Sequence, residues 1–286
     1  LELMPRETLA LVGESGCGKT TLGKLILRLE QPDAGTIVFD GMDITRAGGD
    51  ALRQLRRGMQ VVFQDPYGSL NPRKKVRSII EEPMIVHRTG TRSQIALRAE
   101  ELMDMVGLSP DMLERYPHEF SGGQRQRVCI ARALAISPKV LICDEPVSAL
   151  DVSIQAQVIN LLTDLQQRLH LSYLFISHDL AVVGYLSHRV AVMYRGRIVE
   201  LAASRTIFEE PLHPYTRSLM AAVPDASIEA RGRERPAAGA GVPDIRAAQE
   251  GCAYRPLCPL AEHGCAQEKP SLVEAEQGHF VACRCV

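Results

Sequence analysis

The residues best placed to do chemistry are Gly13-Glu14-Ser15-Gly16-Cys17-Gly18-Lys19-Thr20-Thr21, which satisfy G-x-x-x-x-G-K-[ST] at every defined position. In such a loop the glycines let backbone N–H groups turn inward around phosphate oxygens. Lys19 reaches the β/γ-phosphates, Thr20 offers a hydroxyl to Mg²⁺, and the following helix N-terminus adds positive potential. Gly13, Ser15, Gly16, Cys17, Gly18, Lys19, Thr20 and Thr21 are therefore candidate phosphate-binding residues. An accidental match in a chain of this length has a chance of about 1%. Carboxylates form a second set: Asp144-Glu145 follow the apolar run Val140-Leu141-Ile142-Cys143, so both leave one strand end together. Gln64 closes the run Met59 to Phe63, and Ser177-His178-Asp179 follow the run Tyr173 to Ile176. Each of these taken alone is an ordinary polar strand end; their order behind a phosphate loop gives them a chemical reading.

The elements that must hold these groups alternate. Leu9 to Val12 reads as a buried strand and Thr21 to Leu27 as a helix, the context the loop requires. Thr36 to Phe39 reads as a strand closed by Asp40-Gly41. From Asp65 the character changes: Pro66, Gly68, Asn71 and Pro72 mark an irregular segment, then Ile95, Ala99, Leu102, Met103 and Val106 repeat with helical period. We read 65 to about 135 as an inserted helical subdomain. Its last helix follows Phe120-Ser121-Gly122-Gly123-Gln124 and runs through Ala135, so that Ser121, Gly122 and Gly123 form an anion site at a helix N-terminus. Asp151 is expected to cap a helix through Leu169, and Arg195-Gly196 to turn a hairpin between Val190–Met193 and Ile198–Leu201. The alternation predicts an α/β fold with a mainly parallel sheet over 1–223, a linker at 224–250, and a small cysteine-rich appendage at 251–286.

Composition narrows the function classes. Of 286 residues, 45% are hydrophobic, enough for a substantial core, and 33 Lys+Arg against 34 Asp+Glu leave a net charge of −1. No overall field recommends a nucleic acid or an anionic membrane surface. No stretch is apolar for long enough to span a bilayer, and Leu1 to Glu7 lacks a signal-peptide core, so a cytoplasmic location is expected. Five of the eight cysteines crowd the end, as Cys252-x5-Cys258-x6-Cys265-x17-Cys283 plus Cys285. Four thiolates suit an iron–sulfur cluster or zinc better than disulfides, although the short C-x2-C pair of zinc ribbons is missing; reduced structural thiols are the third reading, with Cys285 a spare.

Taken together, these motifs resemble the ATP-binding subunits of ABC transporters over nearly the whole chain. Gly13 to Thr21 is similar to Walker A, Gln64 to the Q-loop, Phe120 to Gln124 to the signature, Val140 to Glu145 to Walker B, Ser148 to Asp151 to the D-loop and His178 to the H-loop. Val61 to Arg73 and His213-Pro214-Tyr215-Thr216 are similar to oligopeptide and dipeptide import ATPases, a group that includes nickel and glutathione importers. The resemblance implies a P-loop ATPase of ABC type in which Asp144, with Thr20 and Gln64, serves Mg²⁺, Glu145 polarises the attacking water, and His178 contacts the γ-phosphate. It implies a head-to-tail pair of ATPase subunits, identical or not, in which Ser121, Gly122, Gly123 and Gln124 face the partner's nucleotide. Two membrane permease subunits and an extracytoplasmic solute-binding protein complete the implied assembly, with this chain peripheral on the cytoplasmic face. In some relatives the tail resembles a [4Fe–4S] ligand set. The family stacks adenine on an aromatic residue upstream of Walker A, and none precedes Leu9. That residue is expected in a segment absent from this chain, which by itself would bind ATP weakly. The rival expectation is a soluble ABC-type ATPase acting on ribosomes or DNA; one cassette without a long heptad insertion speaks against it.

Overall fold

The computed structural model describes residues 1–222 and 250–286. The first elements in chain order are β1 (Thr8–Val12), α1 (Lys19–Ile26), β2 (Val38–Phe39), β3 (Met42–Asp43), α2 (Gly49–Gly58), β4 (Met59–Val62), α3 (Pro66–Ser69), α4 (Val76–Val86), α5 (Arg92–Met105) and α6 (Gly122–Leu134). There follow β5 (Val140–Asp144), α7 (Val152–Leu169), β6 (Ser172–Ile176), α8 (Leu180–Leu186), β7 (Arg189–Tyr194), β8 (Arg197–Ala203), α9 (Ser204–Glu209), α10 (Pro214–Ala221), β9 (Val273–Glu276) and β10 (His279–Val281). They fall into two compact units, Leu1–Thr8 with Thr20–Ile176, and Leu9–Lys19 with Ser177–Val286. The linker expected at 224–250 lies outside the described residues, apart from Glu250.

In the first unit β4, β5 and β6 run parallel, with Val62 opposite Cys143 and Asp144 opposite Ile176. All of β6 and most of β5 are buried, the near-continuous apolar pattern of strands covered on both faces. A fully buried ring such as Phe175 contributes about 1.5–3 kcal/mol through area removed from water. The buried phenol of Tyr173 donates to the Leu162 carbonyl at 2.9 Å, which ties β6 to α7. Four helices, α3 to α6, occupy 66–134. The periodic residues Ile95, Ala99, Leu102 and Met103 form the buried face of α5, which packs on α4 and α6. Capping boxes start α5 (Thr91 with Gln94) and α6 (Ser121 with Gln124). At α7 the expected side-chain cap does not form. Asp151 occupies the cap position with its side chain exposed, and its carbonyl oxygen accepts the Ile154 and Gln155 N–H groups instead.

In the second unit β1 pairs in parallel with β7, Val12 opposite Val192. The two-residue turn Arg195-Gly196, both at positive φ, then forces β8 antiparallel to β7. Within this unit the β1–β7 pair is parallel, and the β7–β8 hairpin with β10 and β9 is antiparallel. The cysteine-rich segment departs from the expected appendage. Its strand β10 adds to β8, with Phe280 opposite Leu201 and Val281 opposite Glu200, and β9 adds to β10. The reason is a buried polar clamp: the Glu200 carboxylate accepts the Leu212 and His213 N–H groups at 2.7 and 2.9 Å and lies 2.7 Å from His279 Nε2. A buried carboxylate must be satisfied, and residues far along the chain satisfy this one.

Candidate nucleotide site

The phosphate loop leaves β1 at Gly13, where φ is +152° and a Cβ would stand 2.2 Å from the Met193 carbonyl oxygen, so only glycine fits. Lys19 is buried, and its ammonium donates to the Gly13 and Glu14 carbonyls at 2.8 and 2.9 Å, folding the loop back on itself. The Cys17 carbonyl accepts the Gly196 N–H at 2.7 Å, which pins the loop to the β7–β8 turn. Burial raises the Cys17 pKa, with Lys19 acting in the opposite sense. Ser15 and Gly16 are exposed at the loop's crest. In the same unit Ser177 Oγ accepts the Asp179 N–H at 3.0 Å and Asp179 caps α8, a double turn that carries the exposed His178.

Thr20, the residue after Lys19, belongs to the first unit. There Thr20 Oγ1 donates to Asp144 Oδ1 at 3.2 Å, and Gln64 Nε2 donates to Glu145 Oε2 at 2.9 Å. Glu145 sits at φ +47°, a left-handed conformation at the end of β5, with its N–H donated to the Ile176 carbonyl at 2.9 Å. That twist separates the two carboxylates: Asp144 stays buried beside Thr20, and the partly exposed Glu145 meets Gln64. Thr20, Gln64 and Asp144 are hard oxygen donors of the kind that suits Mg²⁺.

Ser121, Gly122, Gly123 and Gln124 form their own cluster at the start of α6. Ser121 Oγ accepts the Gln124 N–H, and Gln124 Oε1 accepts the Ser121 N–H at 3.0 Å. A Cβ at Gly123 would stand 2.4 Å from Ile154 Cγ2, so the second glycine is fixed by α7 packing on α6.

In the tail, Cys252, Cys258, Cys265, Cys283 and Cys285 line one cavity of about 10 Å³. Cys285, read as a spare, belongs to the same group: its sulfur lies 3.9 Å from that of Cys265. Partial burial and the Cys265 thiol push its pKa up to about 12. Among the described residues no trio of His, Cys, Asp or Glu stands arranged around a single metal ion. The sequence reading missed Tyr215, whose hydroxyl accepts the Glu14 N–H at 3.0 Å, and the Glu200–His279 pair. The motif His213 to Thr216 marked the first only as a family trait; nothing local marked the second.

Residues 1–148 match the ABC transporter family, and residues 199–265 match the oligopeptide/dipeptide transporter C-terminal region. The oligopeptide transport ATP-binding protein AppF of Bacillus subtilis is 50% identical over 281 residues, covering 97% of this chain and 85% of that one. The glutathione import ATP-binding protein GsiA of Pectobacterium atrosepticum is 57% identical over 234 residues, 82% of this chain and 38% of that one. Among solved structures, the dimeric ATP-binding cassette MJ0796 in a post-hydrolysis state with ADP and Pi superposes with a TM-score of 0.65 at 29% identity, covering 72% of this chain and 88% of that one. A soluble ATPase of ribosomes or DNA is not favoured by these matches. Among the described residues no helix is long and apolar enough to cross a membrane. The chain belongs to the ATP-binding subunits of ABC transporters: a P-loop ATPase that works with ATP and Mg²⁺ and carries the C-terminal region of the oligopeptide/dipeptide group.

Proposed function

We propose that this chain is one of two ATPase subunits, identical or related, that sit on the cytoplasmic face of the membrane and power peptide uptake through two permease subunits fed by an extracytoplasmic binding protein. The observation that carries the ATPase half of this reading is the doubled hold on the end of β5, Thr20 on Asp144 and Gln64 on Glu145. In this reading Gly13 to Thr21 binds the phosphates, Ser15, Gly16, Cys17, Gly18 and Thr21 through backbone N–H groups or hydroxyls and Lys19 through its ammonium. Thr20, Asp144 and Gln64 hold Mg²⁺, which supplies charge neutralisation on the phosphate oxygens. Glu145 orients and polarises the attacking water, His178 contacts the γ-phosphate, and Gln64 relays nucleotide state to the helices of 66–134. Ser121, Gly122, Gly123 and Gln124 act on the nucleotide of the partner subunit, because a helix N-terminus opened by small residues suits an anion.

The peptide half rests on the C-terminal region and on a relative named for oligopeptide transport; glutathione, named for GsiA, and nickel are the competing solutes. Reconstitution of the full-length chain with its membrane subunits tests it. Peptide-loaded binding protein should stimulate ATP hydrolysis, and stimulation by glutathione or nickel alone would reject the peptide assignment. For the tail, Cys252, Cys258, Cys265 and Cys283 are proposed to hold a [4Fe–4S] cluster, a reading that rests on four thiols in one short segment and on the affinity of thiolates for iron. The cluster would supply a covalent core to a segment poor in apolar residues. Anaerobic purification should return iron with matching labile sulfide; zinc alone, or neither, rejects the assignment.

A further inference from the structure

The motif His213-Pro214-Tyr215-Thr216 has no part in the reading above, yet its tyrosine reaches the phosphate loop. Pro214 opens α10 and His213 caps it, Nδ1 accepting the Tyr215 N–H at 3.0 Å. Burial keeps His213 neutral, which leaves Nδ1 free to accept. The Glu200 carboxylate, in turn, holds the His213 N–H. This scaffold directs the Tyr215 ring, 2% exposed, to Glu14.

The bond it makes there falls on one planar peptide unit. The Gly13–Glu14 peptide presents its oxygen to the Lys19 ammonium at 2.8 Å and its N–H to the Tyr215 hydroxyl at 3.0 Å. A peptide plane rotates as a whole, so releasing the N–H end frees the oxygen end that docks Lys19. The tail supports the same ring. Tyr254 packs on Tyr215 with centroids 5.5 Å apart and on Tyr194 at 5.3 Å, Tyr194 packs on Tyr215 at 4.6 Å, and the Tyr254 hydroxyl lies 3.1 Å from Ser218 Oγ on α10. Tyr194 is the last residue of β7, next to the turn whose Gly196 N–H binds the Cys17 carbonyl.

We infer that Tyr215 is a positioning residue for the phosphate loop, and that the C-terminal segment acts on nucleotide affinity by holding Tyr215 in place through Tyr254. The inference rests on the reading of Gly13 to Thr21 as the ATP phosphate site.

The test uses the full-length chain in its assembled transporter. Tyr215→Phe keeps the ring and removes the acceptor; KM for MgATP should rise about three- to tenfold, the range of one lost hydrogen bond, while kcat stays within about twofold. Tyr254→Ala should raise KM in the wild-type background and add little in the Tyr215→Phe background, because both changes act through one contact. Amide hydrogen exchange at the peptide containing Glu14 should accelerate in Tyr215→Phe without a matching change in β5 or β6. An unchanged KM and unchanged exchange in Tyr215→Phe overturn the positioning role, and equal effects of Tyr254→Ala in both backgrounds overturn the link to the tail. If Tyr254→Ala does not fold, Tyr254→Leu replaces it in the cycle. Lys19→Ala separates the two levels: if it leaves MgATP binding intact, the phosphate-site reading fails, whereas lost binding in Lys19→Ala beside a silent Tyr215→Phe defeats only this inference.

Discussion

The phosphate loop and the cysteine-bearing segment share one unit and are held by opposite means. The loop is largely closed by its own neighbours, with Lys19 reaching back five and six residues to the Glu14 and Gly13 carbonyls and Cys17 N–H bonding to the Glu14 carbonyl. The tail is closed from a distance: His279 meets Glu200 across 79 residues, and Tyr254 meets Ser218 across 36. Local closure leaves no room for a side chain at Gly13, where the Met193 carbonyl would stand 2.2 Å from a Cβ, while the crest at Ser15 and Gly16 stays open. Distant closure concentrates stability in a few buried polar groups, so the tail should fail by unfolding where the loop fails by losing its ligand.

The largest expected effect lies outside both regions and sets the scale for them. Glu145→Gln should lower steady-state hydrolysis by at least about a hundredfold while MgATP binding persists, because Lys19, Thr20 and Asp144 are untouched. Turnover near wild type in the assembled transporter would remove Glu145 as the catalytic carboxylate. Next comes the loop. Gly13→Ala forces a Cβ to within 2.2 Å of the Met193 carbonyl in a left-handed backbone, and MgATP affinity should drop more than about tenfold with little loss of tail structure. Equilibrium binding of a fluorescent nucleotide reads this out, and unaltered affinity would mean that the loop yields more readily than its geometry implies.

Breaking the tail should give the converse pattern. His279→Ala leaves the fully buried Glu200 carboxylate short of one partner and should destabilise the second unit by about 2–4 kcal/mol. The chain has no tryptophan, so tyrosine fluorescence, with Tyr194, Tyr215 and Tyr254 clustered, follows the urea transition of this region. A midpoint equal to wild type would show that the clamp contributes nothing. A gradual pH dependence of the same region comes last, since it is spread over more than two pH units. Burial lowers the His213 pKa from 6.5 to about 4, against the opposing pull of Glu200. Between those values the unfolded chain takes up a proton that the folded chain refuses. Stability is therefore complete above about pH 6.5 and declines as pH falls toward about 4, by at most about 3 kcal/mol. His213→Asn keeps a side-chain acceptor for the Tyr215 N–H and should flatten this slope; an unchanged slope would assign it to other groups.

The family, the order of the strand-end motifs and the reading of Gly13 to Thr21 as a phosphate loop were legible in the sequence, because each depends on residue types at fixed short spacing. A glycine at 13, a lysine at 19 and a hydroxyl at 20 act through backbone turns and a helix start that local chemistry dictates. The parallel strands were legible there too, since Val140 to Cys143 and Tyr173 to Ile176 are apolar throughout and buried strands require that. That Glu145 turns to Gln64 while Asp144 stays with Thr20 follows from the folded chain alone, because a positive φ at this glutamate has no sequence signal. Only the tertiary structure brought β10 onto β8, gathered Cys285 with the other four thiols and set Tyr215 on Glu14. The physical reason is the same in each case. Glu200, His213, Tyr215 and His279 carry polar groups that must find partners once buried, and which partners they find is settled by how distant strands and helices pack, not by the residues beside them in the chain.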